Sequence, residues 1–335
     1  MKIIILAGGN GKRLWPLSSD IMPKQYMKVM KNDIGECCSM VQNTWSILVD
    51  KYGEDNLYVI SGESQASVLS EQLGPRAQLI LEPSRRDTFP AIALASAYLA
   101  DTGTPRDETV IVLPVDAHAE HTYYDLLTEL DEAIQCGEAN LGLVGIRPNE
   151  LSEKYGYILS EPITDSKTRR VHRFVEKPDL ATAAALIEQD AMWNGGIFAF
   201  RLEYVLGILA GMNRPLNYAG LQKSYETMPR ISFDYMVTET EKNMICVCYE
   251  GEWTDLGTWS DIVRVLGEDE GQNFIKDDQS TGTFVINQLN IPIVVAGIRE
   301  AVIAASPEGI LISDRSVSHM IKPLVEQLNA KEAAE

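Results

Sequence analysis

Long apolar runs are missing from this sequence of 335 residues. No stretch approaches the roughly 20 apolar residues that a membrane-spanning helix needs. At the amino terminus, Lys2 leads into only four apolar residues before a group of glycines, which is not the pattern of a secretion signal. We therefore expect a cytoplasmic protein with no membrane partner.

Cysteine is scarce as well. The chain has five cysteines, and none of them belongs to a Cys-x-x-Cys pair. Cys37 and Cys38 are adjacent, whereas Cys246 and Cys248 alternate along a predicted strand, so neither pair has the spacing of a zinc site. Reduced thiols in a cytoplasm fit this usage best.

Positive charge is the third shortage. The 29 lysines and arginines face 48 acidic residues, and the formal charge of -19 argues against a nucleic-acid partner. A phosphate ligand would need local cations and a metal to overcome the repulsion of such a chain.

The first thirty residues depart from this average, because they hold five lysines and arginines and a single aspartate. Residues 3–6 form a short apolar, β-branched run, which predicts a strand buried on both faces. The glycines that follow allow backbone N–H groups to turn toward an anion. The residues of this predicted phosphate site are Gly8, Gly9, Gly11, Lys12, Arg13 and Lys24.

Two common glycine motifs do not explain the stretch. A P-loop needs Ser or Thr after its lysine, but Arg13 follows Lys12. A dinucleotide fingerprint that used Gly9 and Gly11 would need a third glycine where Leu14 stands. A tight turn that binds no ligand remains the alternative.

Strand and helix patterns alternate over the first two-thirds of the chain, which predicts an α/β fold with a mostly parallel sheet. Residues 268–281 are polar and acidic, as is typical of a linker. Regularly spaced β-type runs after it predict a small β unit, like a few rungs of a β-solenoid, with a terminal helix. The predicted division is a domain over 1–267, a linker over 268–281 and a C-terminal unit over 282–335.

Two aspartates follow or adjoin predicted strands. Asp116 comes directly after the strand predicted at 108–115, and ligands bind at the carboxyl ends of strands in open α/β sheets. Asp255 lies in the segment Trp-Thr-Asp-Leu-Gly-Thr-Trp at residues 253–259, where Gly257 allows a turn. Two carboxylates from distant segments can share one Mg²⁺ with phosphate oxygens, so both aspartates are candidate metal ligands.

Glu82 opens a loop that leads into a helix predicted at 91–100, with Asp87 or Thr88 as its N-cap. Guanine presents N–H donors at N1 and N2, and one carboxylate can accept both of them. Glu82 is therefore a candidate for recognising a nucleotide base, and a solvated loop residue is the alternative.

Taken together, the motifs resemble those of the sugar-1-phosphate nucleotidyltransferase family. Residues 6–17, Leu-Ala-Gly-Gly-Asn-Gly-Lys-Arg-Leu-Trp-Pro-Leu, and residues 22–26, Met-Pro-Lys-Gln-Tyr, look most like the mannose-1-phosphate guanylyltransferases, also called GDP-mannose pyrophosphorylases. Four later motifs follow in the family's order: Leu-Pro-x-Asp at 113–116, Tyr-Gly-Tyr-Ile at 155–158, Glu-Lys-Pro at 176–178 and Trp-Asn-Gly-Gly-Ile-Phe at 193–198.

The resemblance implies a Rossmann-like, mostly parallel mixed sheet flanked by helices, with a small C-terminal β unit. It implies an enzyme that transfers a nucleotidyl group from GTP to α-D-mannose 1-phosphate, with Mg²⁺ as cofactor and GDP-mannose and pyrophosphate as products. Its partners would be GTP and the sugar 1-phosphate, and it would form a homodimer. Three alternatives stay open: another sugar 1-phosphate such as a heptose or glucose phosphate, another nucleoside triphosphate, or a catalytically silent sugar-nucleotide sensor.

The resemblance also implies roles for individual residues. The catalytic residues would be Arg13, Lys24, Asp116 and Asp255, with Mg²⁺ on the two aspartates. The nucleotide would contact Leu6, Ala7, Gly8, Gly9, Gly11, Arg13, Glu82, Thr88 and Asp116. The sugar phosphate would contact Lys24, Gly156, Glu176, Lys177 and Asn194.

Such a reaction needs little activation of its nucleophile. A sugar 1-phosphate has a second pKa of about 6 and is mostly dianionic at neutral pH. It requires neither a Ser or Cys triad nor a histidine base, and the chain has only four histidines. Catalysis would then come from in-line positioning and charge neutralisation, without a covalent intermediate.

Overall fold

The computed structural model describes residues 1–9, 14–19, 22–32, 35–164, 166–266, 270–271 and 273–332. The chain divides into two compact units. The first unit comprises Met1–Gly8, Ser46–Val115 and Ala119–Trp253, and the second comprises Gly9–Trp45, Asp116–His118 and Thr254–Glu335. In the described part of the chain, no helix is long and apolar enough to cross a membrane.

The first unit contains a nine-stranded sheet. Its strands are β1 (Lys2–Leu6), β2 (Leu57–Gly62), β3 (Gln78–Glu82), β4 (Thr109–Pro114), β5 (Leu141–Ile146), β6 (Tyr157–Pro162), β7 (Thr168–Val175), β8 (Met192–Arg201) and β9 (Met244–Tyr249). Along the sheet they lie in the order β3-β2-β1-β4-β8-β5-β9-β7-β6. The pairs β1–β2, β1–β4, β2–β3 and β5–β9 are parallel, whereas β7 and β8 pair antiparallel with their neighbours.

Helices flank this sheet, and the mixed α/β class that the sequence predicts is confirmed. The α-helices of the chain are α1 (Met40–Tyr52), α2 (Ala66–Leu73), α3 (Thr88–Asp101), α4 (Leu126–Gln135), α5 (Leu180–Ile187), α6 (Leu202–Gly211), α7 (Tyr218–Lys223), α8 (Trp259–Leu266) and α9 (Ile321–Glu332). Short 3₁₀ turns lie at Lys24–Tyr26, Glu54–Asn56, Glu63–Gln65, His121–Asp125, Tyr225–Thr227 and Arg315–Met320, and a π-helical turn lies at Asp234–Thr238.

The core of the first unit forms where α3 packs on the sheet. Helix α3 is apolar over most of its length, and it is buried from Phe89 to Ala97 without a break. A helix that is apolar all round belongs inside a protein. It shares its core cluster with residues of β4, β8 and α6, among them Val110, Phe200 and Val205.

Five strands of this sheet close on themselves. The order along the sheet runs from β8 through β5, β9 and β7 to β6, and the start of β6 then pairs again with the start of β8. Tyr157 of β6 is consequently in register with Val175 at the end of β7 and with Trp193 of β8. The residues beside these three positions therefore come together from three segments of the chain.

The second unit has its own core, in which residues from 14 to 40 share apolar contacts with residues from 256 to 325. Its larger strands are β10 (Phe284–Asn287), β11 (Ala301–Ser306) and β12 (Gly309–Asp314). β10 and β11 are parallel, as in the rungs of a solenoid, and β12 turns back antiparallel. Shorter strands lie at Met30–Lys31, Cys37–Cys38, Ala117–Ala119, Trp253–Asp255, Glu270–Gly271, Phe274–Lys276 and Ile293–Val295.

The division of the chain predicted at 267 and 282 stays a prediction, and the compact units group the segments of the chain in another way. The amino-terminal residues Leu14 to Met40 pack with Trp259 and Val302 in one core. Two short strands, Glu270–Gly271 and Phe274–Lys276, lie within the predicted linker. The predicted division follows the order of the sequence, whereas each compact unit combines segments that are distant in the sequence.

Candidate active site

In the second unit, Lys24 lies against both predicted metal ligands. Its Nζ is 2.8 Å from Oδ2 of Asp116 and 3.7 Å from Oδ1 of Asp255. The same Nζ donates to the backbone oxygen of Leu256 at 3.0 Å. The side chains of Lys24, Asp116 and Asp255 are only 17%, 33% and 32% exposed, so three charged groups converge in a largely covered position.

Local structure fixes these three residues. Lys24 begins a 3₁₀ turn after Pro23, and the next two residues, Gln25 and Tyr26, are buried. The backbone N–H of Leu256 donates to the backbone oxygen of Asp116 at 2.9 Å, which ties the two aspartate segments together. The cation is thus held by its neighbours in sequence and the carboxylates by a backbone bond.

The ammonium of Lys24 keeps Asp116 ionised. Burial favours the neutral acid, but the charge and hydrogen bond of Lys24 outweigh it and lower the pKa of Asp116 below its usual value. An ionised carboxylate is what a divalent cation requires as a ligand.

The residues present fit a Mg²⁺ ion. Both carboxylates already face one point of positive charge, so the two oxygens are no further apart than the sum of their distances to the ammonium. Among the described residues, no cluster of three or more His, Cys, Asp or Glu is placed to hold a metal. Mg²⁺ commonly takes one or two protein carboxylates and completes its shell with water and phosphate oxygens, which matches this donor set.

In the first unit, Glu82 lies at the end of β3 and is 7% exposed. The hydroxyl of Tyr225 donates to its Oε2. Burial raises the pKa of Glu82 to about 7, although Tyr225 and Arg85 act in the opposite direction. A Cβ on Gly8 would lie 3.4 Å from Oε1 of Glu82, so the first glycine of the amino-terminal turn lies beside this carboxyl group.

The loop after Glu82 is fixed at both ends. Asp87 is the N-cap of α3, and its carboxylate accepts a hydrogen bond from the N–H of Thr88 at 2.7 Å. The hydroxyl of Thr88 accepts from the N–H of Phe233 at 2.8 Å. Arg86 donates to Met228 and Glu226. Of the two caps that the sequence leaves open, the structure uses Asp87, while the Thr88 side chain joins the segment that contains Asp234.

The closed ring of five strands, β8-β5-β9-β7-β6, brings together three of the predicted sugar-site residues. We call it the strand ring. Gly156, Glu176 and Asn194 adjoin the registered residues of β6, β7 and β8, and the N–H of Asn194 donates to the oxygen of Gly156 at 2.8 Å. A Cβ on Gly156 would lie 2.6 Å from Oε2 of Glu176 and 2.6 Å from Cζ of Phe174. An alanine here would force the side-chain ends of Glu176 and Phe174 to move, so this close approach favours the glycine of the Tyr-Gly-Tyr motif.

Glu176, which is buried, and Asp234, which is half-buried, form an acidic pair around Asn194. Asn194 donates to Oδ1 of Asp234 at 2.7 Å, and its own Oδ1 accepts from the N–H of Gly196 at 3.1 Å. Burial raises the pKa of Asp234 to about 7, and the charge of Glu176 adds to the rise. Lys177 donates to Oε1 of Glu176 at 2.6 Å. The cluster therefore holds a carboxyl group that exchanges its proton near neutral pH.

Lys177 adopts an unusual backbone conformation, with φ of 43°. Residues other than glycine, asparagine and aspartate seldom adopt the left-handed region. Its side chain is 51% exposed, so its ammonium reaches the surface of the cluster from a fixed backbone position. Strain of this kind is often found where a side chain must be aimed.

The glycine turn is only partly described. Leu6 ends β1, and the N–H of Ala7 donates to the oxygen of Ile60 at 3.0 Å. Gly9 has φ of 151°, a region that favours glycine, and belongs to the second unit. Gly11 and Arg13 lie outside the described residues, so their predicted roles stay predictions.

Two residues of these clusters were not among the predicted site residues. Tyr225 reaches Glu82 from a 3₁₀ turn 143 positions further along the chain, and no sequence pattern marks it. Asp234 lies in Ser-Phe-Asp-Tyr, residues 232–235. Its place at the start of a π-helical turn is a signal that only the structure provides.

Comparisons with known proteins show the family of this chain. The model of the family described as nucleotidyl transferase matches residues 2–272. A mannose-1-phosphate guanylyltransferase from Escherichia coli is 31% identical over 97% of this chain and 75% of its own length. The xanthan biosynthesis protein XanB of Xanthomonas campestris pv. campestris strain B100 is 31% identical over 98% of this chain and 73% of its own length.

A solved structure supports the same assignment. The crystal structure described as mannose-1-phosphate geranyltransferase from Thermus thermophilus superposes with a TM-score of 0.84, at 27% identity, over 98% of this chain and 99% of that one. The chain belongs to the nucleotidyl transferase family, as an enzyme of the sugar-phosphate nucleotidyltransferase type. The particular proteins that it resembles over nearly its whole length include several named mannose-1-phosphate guanylyltransferase.

Proposed function

We propose that the chain catalyses the reaction of GTP with α-D-mannose 1-phosphate to give GDP-mannose and pyrophosphate. The observation that carries the proposal is the convergence of Asp116 and Asp255 on the ammonium group of Lys24. Relatives of the chain are named mannose-1-phosphate guanylyltransferase. The phosphate oxygen of the sugar would attack the α-phosphorus of GTP in line with the leaving pyrophosphate. No covalent enzyme intermediate is needed.

Asp116 and Asp255 would hold the Mg²⁺ of the reaction. The ion, when bound, supplies positive charge to the phosphate oxygens and fixes their orientation. Lys24 would exchange part of its contact with the two carboxylates for a phosphate oxygen, because the ammonium and the metal compete for the same carboxylates. Arg13, by the family resemblance, would bind the leaving pyrophosphate together with the backbone of the glycine turn.

The clusters of the first unit would read the two substrates. Ionised Glu82 would accept the N1 and N2 donors of guanine, with Tyr225 holding the carboxylate. Glu176 and Asn194 would bind sugar hydroxyl groups, and Lys177 would bind the sugar's phosphate. Charge-assisted hydrogen bonds of this kind each contribute about 1.5–3 kcal/mol.

The decisive experiment measures pyrophosphate release for four nucleoside triphosphates against mannose, glucose and heptose 1-phosphates, with and without Mg²⁺. We expect GTP with mannose 1-phosphate to give the highest kcat/KM and turnover to require the metal. A preference for another pair would retain the chemistry and replace the substrates. Binding of GDP-mannose without turnover of any pair would identify a sensor instead. Cytoplasmic location and a homodimer stay predictions.

A further inference from the structure

The first unit contains a small cavity that none of the residues assigned above lines. It has a volume of about 190 Å³, and its lining includes Arg147, Arg169, Asp190, Met192, Cys248 and Glu250. Pockets for freely bound small molecules are usually larger, at about 300–1,000 Å³. A cavity of this size that contains a thiol suits a covalent adduct better than a diffusing ligand.

Strand register explains the space beside Cys248. The residue opposite it on β5 is Gly145, which has no side chain to fill the position. Met192 of β8 lies against Gly145. A Cβ added to Gly145 would be 2.9 Å from the sulphur of Met192. Cys248 is partly exposed, and a glycine and a flexible thioether form its surroundings.

A second thiol and an arginine lie on the same face. Cys246 is two residues earlier in β9 and fully buried, and Arg169 of β7 is directly opposite it. Residues opposite each other on paired strands project from the same face of the sheet. The guanidinium of Arg169 is held by Ser160, with Nε donating to Oγ and Nη2 to the backbone oxygen, each at 2.9 Å.

This arrangement activates Cys248 rather than Cys246. The neighbouring thiol of Cys246 and the charge of Arg169 lower the pKa of Cys248, despite burial and the charges of Glu250 and Asp190. The neighbouring Cys248 and burial raise the pKa of Cys246. The thiolate is the nucleophilic form of cysteine, so the cavity contains the more reactive sulphur of the pair.

We propose that Cys248 is a site of reversible mixed-disulfide formation with a small thiol that carries carboxylate groups. The Cys248 thiolate attacks one sulphur of the symmetric disulfide, its S–S bond breaks, and one thiolate leaves as the new S–S bond forms. Cys248 is oxidised, and half of the incoming disulfide is reduced. Arg169 lies beside the position of the adduct, and Arg147 is held only loosely by Asp190, with Nη1 to Oδ1 at 4.0 Å. Arg169 and Arg147 can each pair with a carboxylate of the partner, in a cavity that Asp190 and Glu250 also line.

An adduct would also reach the substrate clusters. Met192 lines the cavity, and Asn194 is two residues further along the same strand, where it binds Asp234. A group attached to Cys248 must displace Met192, because the cavity is small. We therefore expect the adduct to raise KM for the sugar phosphate by about three-fold to ten-fold, an effect of about 1 kcal/mol. This second readout rests on the proposed function, whereas adduct formation does not.

The test exposes the reduced protein to glutathione disulfide, cystamine and bis(2-hydroxyethyl) disulfide, and maps adducts by peptide mass spectrometry. We expect Cys248 to react faster than exposed Cys136 by about three-fold or more, since a lowered pKa raises the thiolate fraction. The anionic disulfide should react fastest and the cationic one slowest, and a reducing thiol should reverse the adduct. Earlier labelling of Cys37 or Cys136, or a faster reaction with cystamine, would overturn the proposal.

Three variants sharpen the test. Cys248→Ser should abolish the adduct on the peptide of residues 244–249 while Cys136→Ser leaves it unchanged. Cys246→Ala removes the thiol beside Cys248 and should slow the reaction of Cys248. Thermal melting of the variant checks that it is folded. Arg147→Ala should reduce the preference for the anionic disulfide without slowing the neutral one. An unchanged rate in Cys246→Ala would refute the role of the thiol pair.

Discussion

The second unit sets Asp116 and Asp255 against one ammonium, whereas the first unit buries Glu82 beside a phenol and Asp234 beside another carboxyl group. The pKa of Asp116 is lowered, while those of Glu82 and Asp234 are raised to about 7. A permanent negative charge suits a metal cation, which in turn can bind the oxygens of phosphate groups. A carboxyl group that exchanges its proton near neutrality suits the uncharged N–H and O–H groups of a base or sugar. The difference indicates how one acidic chain binds two kinds of ligand surface.

Removing a carboxylate from the Lys24 cluster should have the largest effect. We expect Asp255→Ala to reduce kcat by about 10²–10³-fold, since it removes charge stabilisation that acts in the transition state. The measurement is pyrophosphate release over a Mg²⁺ titration. Asp278→Ala, at an exposed acid of the same unit, is the matched control and should leave kcat unchanged. Unchanged turnover in Asp255→Ala would remove Asp255 from the metal site.

Neutralising Glu82 should be the next largest effect. Glu82→Gln keeps the shape but can accept only one of guanine's two donors, so discrimination of GTP against ATP should fall by about 10–100-fold. For the wild type, GTP affinity should rise as pH passes through about 7 and level off above it, because the ionised form accepts the donors. Isothermal titration calorimetry with GTP and ATP at several pH values measures both the discrimination between the nucleotides and the pH dependence of GTP affinity. A pH-independent GTP affinity would contradict the assigned role.

A variant of Lys177 tests whether a cation of the first unit neutralises the charge of the sugar phosphate. Lys177→Met should raise KM for the sugar phosphate by about ten-fold, since one charge-assisted hydrogen bond of about 1.5 kcal/mol is lost. The KM for GTP should not change. Lys167→Met, at an exposed lysine paired with Glu129, serves as the control. Equal changes in both KM values would point to a general effect on the fold.

Gly156→Ala tests the close approach of the strand ring. The added methyl group would be 2.6 Å from both Glu176 and Phe174, so we expect a loss of about 1–3 kcal/mol in the free energy of unfolding. Gly207 in α6 has open space around it, and Gly207→Ala should be neutral or stabilise by up to about 1 kcal/mol. Urea denaturation of both variants measures the difference. Equal stability of the two would show that β6 can move away from β7.

The smallest expected effect is on the pH dependence of stability. The pKa of Asp234 is higher in the folded than in the unfolded chain, so its contribution is complete below about pH 4 and is lost as pH rises toward 7. Asp234→Asn keeps an oxygen for Asn194 and cannot ionise. The variant should therefore lose less stability than the wild type between pH 5 and 8, as measured by urea denaturation. Parallel pH profiles would contradict the raised pKa.

Sequence reasoning predicted the elements of this fold well, because buried strands and apolar helices have local sequence patterns. The strands predicted at 3–6 and 108–115 lie at Lys2–Leu6 and Thr109–Pro114 in the structure. The helix predicted at 91–100 begins three residues earlier, since Asp87 caps it and Pro90 fits its first turn. The α/β class followed from the alternation of these elements and is confirmed.

The arrangement of the site was less accessible from sequence. The pairing of Tyr157 with both Val175 and Trp193 depends on strand register, which no local pattern specifies. Tyr225 became a neighbour of Glu82 through tertiary packing alone. The raised pKa of Asp234 arises from burial beside Glu176, and a sequence records neither.

The central position of strand β1 determines when its two edges can be paired during synthesis of the chain. It is synthesised before β2 and β4, yet it lies between these two strands in the sheet, and they end at residues 62 and 114. A nascent or truncated chain that stops before Thr109 therefore carries an apolar strand with one side unpaired, ready to join a strand of another molecule. We expect amino-terminal fragments of this length to aggregate during synthesis, and fragments that extend past β4 to remain dispersed.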